Sequence, residues 1–125
     1  MIYGIGTDIV KVDRLERLYQ RRGRRGAVRL LAMAELGQFD IARDKSRFLA
    51  KRFAAKEALA KALGTGMRGP VSFINIEITH DPLGKPIFAF HGDLAGHIQI
   101  LGLVAHLSIS DEADYAIAYV ILEKL

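Results

Sequence analysis

Residues 48–66 read FLAKRFAAKEALAKALGTG. Alanine, leucine, lysine and glutamate dominate until Gly64, and all four are strong helix formers. The stretch predicts the longest helix of the chain, running from about 44 to 63, with Gly64 placed to stop it. Within it lies one carboxylate, Glu57, whose neighbours on the same side are Ala50, Ala54, Ala58 and Lys61, with Phe53 beside them. Small residues let another element pack close and leave that carboxylate partly buried, which costs free energy unless a cation meets it. The competing reading is an exposed i, i+4 pair with Lys61, worth about 0.3–0.5 kcal/mol.

The segments around this helix follow from periodicity. YGIGTDIV, residues 3–10, alternates as a strand, with Tyr3, Ile5, Thr7 and Ile9 on one face and Gly4, Gly6, Asp8 and Val10 on the other. Residues 11–22 have a helical pattern that Gly23 and Gly26 interrupt, and a second helix is expected over 27–38. VSFINIEIT (71–79) reads as a strand, DPLGKP (81–86) as a turn and IFAF (87–90) as a short strand. A short helix over 93–101 precedes two further strands, LVAHLSIS (103–110) and YAIAYVILE (115–123), joined by the turn DEAD. Helices early and strands late predict an α+β fold with a largely antiparallel sheet.

At 125 residues, half of them hydrophobic, the chain is the size of one ordinary domain spanning 1–125. It has no cysteine, which excludes a disulfide framework and cysteine-based metal or nucleophile chemistry and favours the cytoplasm. No apolar run reaches the roughly 20 residues of a membrane span, and the N-terminus has no basic region of the signal-peptide kind. The net charge is +4. Residues 11–30 alone carry eight lysines and arginines against Asp13 and Glu16. Such a block suits an acidic partner — nucleic acid, a membrane surface or an acidic protein — or else it is a solvated helix face.

Three further places could carry chemistry. Asp8 follows two glycines on its strand face, so another element can approach the backbone there. A carboxylate beside that space suits a hard cation, or it caps the helix that follows. GTGMRG places glycines at 64, 66 and 69; such a loop can present N–H groups to a phosphate, although it lacks the P-loop pattern and also reads as a helix stop. HLSIS puts His106, Ser108 and Ser110 on one strand face, either lining a groove or facing water.

GIGTDIV, RFAAKEALAKALGTG, GKP, HLSIS and YAIAYV, in this order over nearly the whole chain, resemble the short, bacterial type of 4'-phosphopantetheinyl transferase. The resemblance implies transfer of the 4'-phosphopantetheine arm of coenzyme A to a serine of apo acyl carrier protein, an α+β fold, a magnesium requirement and a homotrimer with sites between subunits. It implies that Asp8 and Glu57 hold Mg²⁺ and that Lys61 acts on the phosphate or the leaving group. Arg52 and the backbone of Gly64, Thr65 and Gly66 would hold phosphates, and His106 with Ser108 would line the coenzyme A groove. Arg14, Arg21 and Arg24 would meet the acidic carrier protein.

The sequence departs from the patterns of its relatives at three places. Val10 stands where longer relatives carry a further acid, so a water would replace that ligand. Asp111 stands where short members often have histidine, and the segment ARDKSR mixes Asp44 into an otherwise basic run. The alternatives from other classes are a Mg²⁺-dependent phosphohydrolase at the same carboxylates and a nucleic-acid-binding module built on the arginines. The second has only Tyr19 near it as a stacking platform, so neither nucleic acid nor a membrane is the expected partner.

Overall fold

The computed structural model describes residues 1–125. Strand β1 (Ile2–Lys11) leads into helix α1 (Val12–Val28). A 3₁₀ turn (Met33–Glu35) and a short helix α2 (Leu36–Ile41) follow, then the long α3 (Lys45–Leu63). After a second 3₁₀ turn (Phe73–Asn75) come β2 (Ile76–His80), β3 (Pro86–Phe90), α4 (Gly92–Leu101), β4 (Leu103–Asp111) and β5 (Tyr115–Lys124). The architecture is the expected α+β, and every strand pair is antiparallel. The strands form two sheets: a three-stranded one ordered β1-β5-β4 and the hairpin β2-β3.

Helix α3 lies across the inner face of the larger sheet, and what lets it do so is visible in β1. A Cβ added at Gly6 would lie 1.9 Å from the carbonyl oxygen of Ala58, and one at Gly4 would lie 1.9 Å from that of Ala62. Strand backbone and helix backbone are in direct contact, a distance only glycine permits. Around this contact Val10, Leu59, Ala116, Ala118, Val120 and Leu122 are buried. Five of the six alternate along β1 and β5, as the two-residue period requires.

Two expectations are corrected. No helix spans 27–38: α1 continues to Val28 and breaks only at Gly23 (φ 60°, ψ −148°), while Gly26 stays helical. The chain then turns, because Glu35 is buried and folds back to accept the Ala32 N–H at 2.8 Å. Residues 71–75 are likewise not strand. The Asn75 side chain donates to the Pro70 carbonyl at 3.0 Å and the Phe73 carbonyl accepts from Lys56, so β2 starts at Ile76.

Arg47, in the first turn of α3, holds the hairpin between β4 and β5. It donates to Asp111 at 3.1 Å and to the carbonyls of Glu112 and Ala113 at 2.7 and 2.9 Å. The next carbonyl, of Asp114, accepts the N–H of Val12, the first residue of α1, at 2.9 Å. Asp111 thus has a partner here in its own right, and Lys51 adds a second cation at 3.7 Å.

Candidate active site

Asp8 is two residues past Gly6 on the same face of β1, so it points toward α3 where strand and helix are closest. Lys61 reaches it across the interface, donating to Asp8 Oδ1 and to the Thr7 carbonyl, each at 3.0 Å. Lys61 therefore pairs with the strand and not with Glu57 one turn earlier, which removes the exposed-pair reading of Glu57. The second oxygen, Asp8 Oδ2, is buried with no hydrogen-bond partner. A buried carboxylate oxygen without a donor asks for a ligand.

Glu57 supplies the other half. Its pKa is raised, first by burial and then by the charge of Asp8, against the opposing pull of Lys61 and Arg14. Two carboxylates that repel across a half-buried gap, one with an orphaned oxygen, form a hard-oxygen donor set suited to Mg²⁺. No third His, Cys, Asp or Glu joins them. The remaining ligands would come from water and substrate phosphate, as is usual for an ion that keeps several waters.

Arg14 belongs to this neighbourhood. Its guanidinium lies 5.1 Å from the centroid of the Phe53 ring. Arg14, Leu15, Leu18, Arg21, Leu30 and Phe53 line a shallow hollow of about 320 Å³ between α1 and α3. Arg21 is exposed and makes no ion pair within the chain. Arg24 does not continue this stripe: it lies past the break at Gly23 and holds Asp40 in a two-point pair at 2.9 and 3.0 Å. An acidic partner would meet Arg24 already paired.

Arg52 and the GTG loop also depart from expectation. Arg52 is buried; its guanidinium donates to Glu35, Gln38 and the Ile78 carbonyl and stacks over Phe48, so it is not a free phosphate anchor. The loop after α3 serves the helix. The Gly64 N–H donates to Lys61 O at 3.0 Å and the Gly66 N–H to Ala60 O at 3.3 Å, closing the last turn. The N–H groups of Gly64 and Gly66 are thus spent within the helix end, at the negative end of its dipole, and would not be free for a phosphate. Their positive φ values, 78° and 65° at the two glycines, explain the residue choice.

His106 and Ser108 lie on the other side of the sheet from Asp8. His106 contacts Glu123 at 3.1 Å, and both residues share the exposed face with Ile5, Thr7, Tyr119 and Ile121. Within one chain they are not brought to the carboxylate pair.

Sequence reasoning missed the buried cluster of Glu35 and Lys56. Lys56 is wholly buried, and its ammonium donates to Glu35 and to the carbonyls of Leu30 and Phe73. Burial pulls its pKa down to about 8 against the pull of Glu35. Burial pushes Glu35 up, but Lys56, the Ile78 N–H and Arg52 together outweigh it and hold the carboxyl below its ordinary value. The only available signal was a lysine that follows two alanines on a helix whose neighbours are core.

A strand carboxylate and a helix carboxylate meet where glycines admit the helix, beside a basic α1, an arrangement suited to a cation and to anionic groups. Residues 4–120 match the model of the 4'-phosphopantetheinyl transferase superfamily, and the chain belongs to that family. It is 59% identical to the holo-[acyl-carrier-protein] synthase of Dechloromonas aromatica, over 98% of each chain. Its fold matches the crystal structure of the Neisseria meningitidis holo-[acyl-carrier-protein] synthase with a TM-score of 0.95 and 51% identity, covering 99% of this chain and all of that one. A Bacillus anthracis holo-(acyl-carrier-protein) synthase solved in complex with CoA (3',5'-ADP) matches with a TM-score of 0.84 and 36% identity, over 100% of this chain and 99% of that one. By its family the chain is a transferase for the phosphopantetheinyl group.

Proposed function

We propose that this chain transfers the 4'-phosphopantetheine arm of coenzyme A to a serine hydroxyl of apo acyl carrier protein, as a holo-[acyl-carrier-protein] synthase does. The serine oxygen forms the new phosphodiester, and the bond to adenosine 3',5'-bisphosphate breaks. The observation that carries the reading is the Asp8–Glu57 pair with its orphaned oxygen, set beside Lys61. Mg²⁺ held by these two carboxylates would supply positive charge and Lewis acidity to the pyrophosphate. Lys61 puts a cation at the same place, where it can neutralise charge on the phosphate or give a proton to the leaving oxygen. Arg14 and Arg21 present charge to an acidic recognition helix beside the apolar floor of Leu15, Leu18 and Phe53, which supports docking of the carrier there.

The exposed face of the larger sheet supports association between copies. Ile5 (55% exposed), Ile9 (59%), Ile117 (42%) and Tyr119 (47%) form an exposed apolar band on neighbouring strands, the kind of surface that marks an interaction site. A trimer would cover it and bring His106 and Ser108 of one copy toward the coenzyme A groove of the next. No helix is long and apolar enough to cross a membrane. The cytoplasm, where coenzyme A is at hand, is the expected compartment.

Intact-mass measurement of apo carrier protein, of both fatty-acid and polyketide type, with coenzyme A and Mg²⁺ tests the function. A gain of one phosphopantetheine is expected, and it should nearly vanish in Asp8→Ala and Glu57→Ala. Coenzyme A cleaved to water with no mass gain would mean the phosphohydrolase reading. A gel shift with random DNA and RNA at physiological salt tests the binding-module reading.

A further inference from the structure

Helix α3 carries three jobs on three sides. At about 100° per residue, Ala58 and Ala62 face the strand glycines, Glu57 and Lys61 face Asp8, and Arg52 and Lys56 face away from both. The third side is gripped by one carboxylate. Glu35 Oε1 accepts from the Ala32 N–H and from Lys56, and Oε2 accepts from Arg52 and from the Ile78 N–H at 3.0 Å. Lys56 in turn holds the carbonyls of Leu30, ahead of Glu35, and Phe73, ahead of β2. The cluster thus ties α3 to the segment 30–35 and to the start of the β2-β3 hairpin. Every oxygen and ammonium hydrogen in it has a partner, and such a fully paired buried network is rigid.

The strand glycines set how close α3 lies, apolar side chains pack around it, and the buried pair adds directional contacts that resist its roll. Lys56 is the residue immediately before Glu57. A roll that moves Glu57 from Asp8 must pull Lys56 from three acceptors in a fully buried site. We propose that Glu35 and Lys56 are positioning residues for the metal site: their buried pair fixes the roll of α3 and thereby the reach of Glu57 to Asp8. The inference rests on the proposed two-carboxylate site and adds residues that touch neither metal nor substrate.

The double variant Glu35→Gln/Lys56→Met removes both charges together, so neither is left buried alone. Three quantities are measured: melting temperature, Mn²⁺ affinity of the substrate-free protein by electron paramagnetic resonance, and kcat and KM for transfer. The expected result is a folded protein whose Mn²⁺ dissociation constant is at least about tenfold higher. Its kcat should be at least about tenfold lower, with the carrier KM within twofold. Leu94→Ala, a core truncation on α4, should lower the melting temperature and leave Mn²⁺ affinity unchanged. If the double variant does not fold, Glu35→Asp keeps the charge and shortens the arm, and it should raise the Mn²⁺ constant at least threefold. Wild-type Mn²⁺ affinity and kcat in the folded variant overturn the proposal, as does an equal Mn²⁺ effect in Leu94→Ala. Asp8→Ala in the same series separates the two readings: if it leaves Mn²⁺ affinity intact the two-carboxylate site fails, and the positioning role is then judged on kcat alone.

Discussion

Replacing Gly6 with alanine puts one methyl group where there is no room for it. The new Cβ would stand 1.9 Å from Ala58 O, 2.7 Å from Ala62 N and 2.9 Å from Ala58 C. All three are backbone atoms of α3, so no side chain can swing aside. Restoring a carbon–oxygen contact of about 3.3 Å requires strand and helix to part by roughly 1.4 Å, against an optimal non-bonded spacing of about 3.5–4.0 Å. Overpacking a core ordinarily costs about 1–3 kcal/mol, and a backbone-on-backbone clash belongs at or above the top of that range. Asp8 lies two residues along the same strand and Glu57 on the displaced helix. A 1 Å misplacement in a catalytic site costs about 10²-fold. Gly6→Ala is therefore expected to lose about 3 kcal/mol in urea unfolding and about 100-fold in kcat at saturating Mg²⁺. Gly37→Ala is the control: it lies in α2 with nothing within 4 Å of an added Cβ. It should be neutral or gain about 0.4–1 kcal/mol. A Gly6→Ala protein with the wild-type unfolding midpoint and turnover would refute the claim that the glycine contact builds the site.

Lys61→Ala should lower kcat by about 10²-fold while the KM for coenzyme A changes less, since Lys61 is placed to meet charge that develops in the reaction; a KM-dominated effect would make it a phosphate anchor instead. Arg14→Glu/Arg21→Glu should raise the carrier-protein KM sharply and leave that for coenzyme A nearly unchanged. Each exposed contact is worth only about 0.2–1 kcal/mol, so single changes should be mild and added salt should bring the wild type toward the double variant; equal damage to coenzyme A kinetics would sink the docking surface. Because burial and Asp8 hold the Glu57 pKa above its ordinary value, that carboxylate takes up its proton earlier as pH falls than an ordinary glutamate does. Mn²⁺ affinity of the substrate-free protein should then drop at a higher pH than an ordinary carboxylate near 4.5 would allow, and Asp8→Asn should move Glu57's own titration downward; an affinity flat down to that pH would contradict the assignment.

What could be read from the residues alone followed the reach of each signal. Alternation placed Gly4, Gly6 and Asp8 on one face of β1, and an alanine-faced helix needed such a space, so each was legible as half of a close contact, while their meeting each other came from the family resemblance. The partner of Lys61 was not, because i, i+4 spacing favours Glu57 equally well until the strand is laid beside the helix. The 27–38 helix failed for a long-range reason: Glu35 is drawn inward by Lys56 and Arg52, which are more than fifteen residues away, and local propensity is blind to that. The surroundings of Arg52 were hidden by the same cause, since a cation that looks free in the sequence is paired in the core. The GTG loop was ambiguous because glycines that end a helix and glycines that hold a phosphate share one backbone geometry, and where the N–H groups go is visible only in the fold.

The grip of Arg47 on the hairpin turn reaches further than its own contacts. That turn ends in the carbonyl that receives the first N–H of α1. The heading of the arginine-bearing helix is thus inherited from a loop more than a hundred residues later in the chain, by way of one guanidinium on a different helix. A screen for variants that lose carrier-protein affinity would accordingly return Arg47 and Asp111 alongside the surface arginines. A search confined to residues that the partner can touch would never find them.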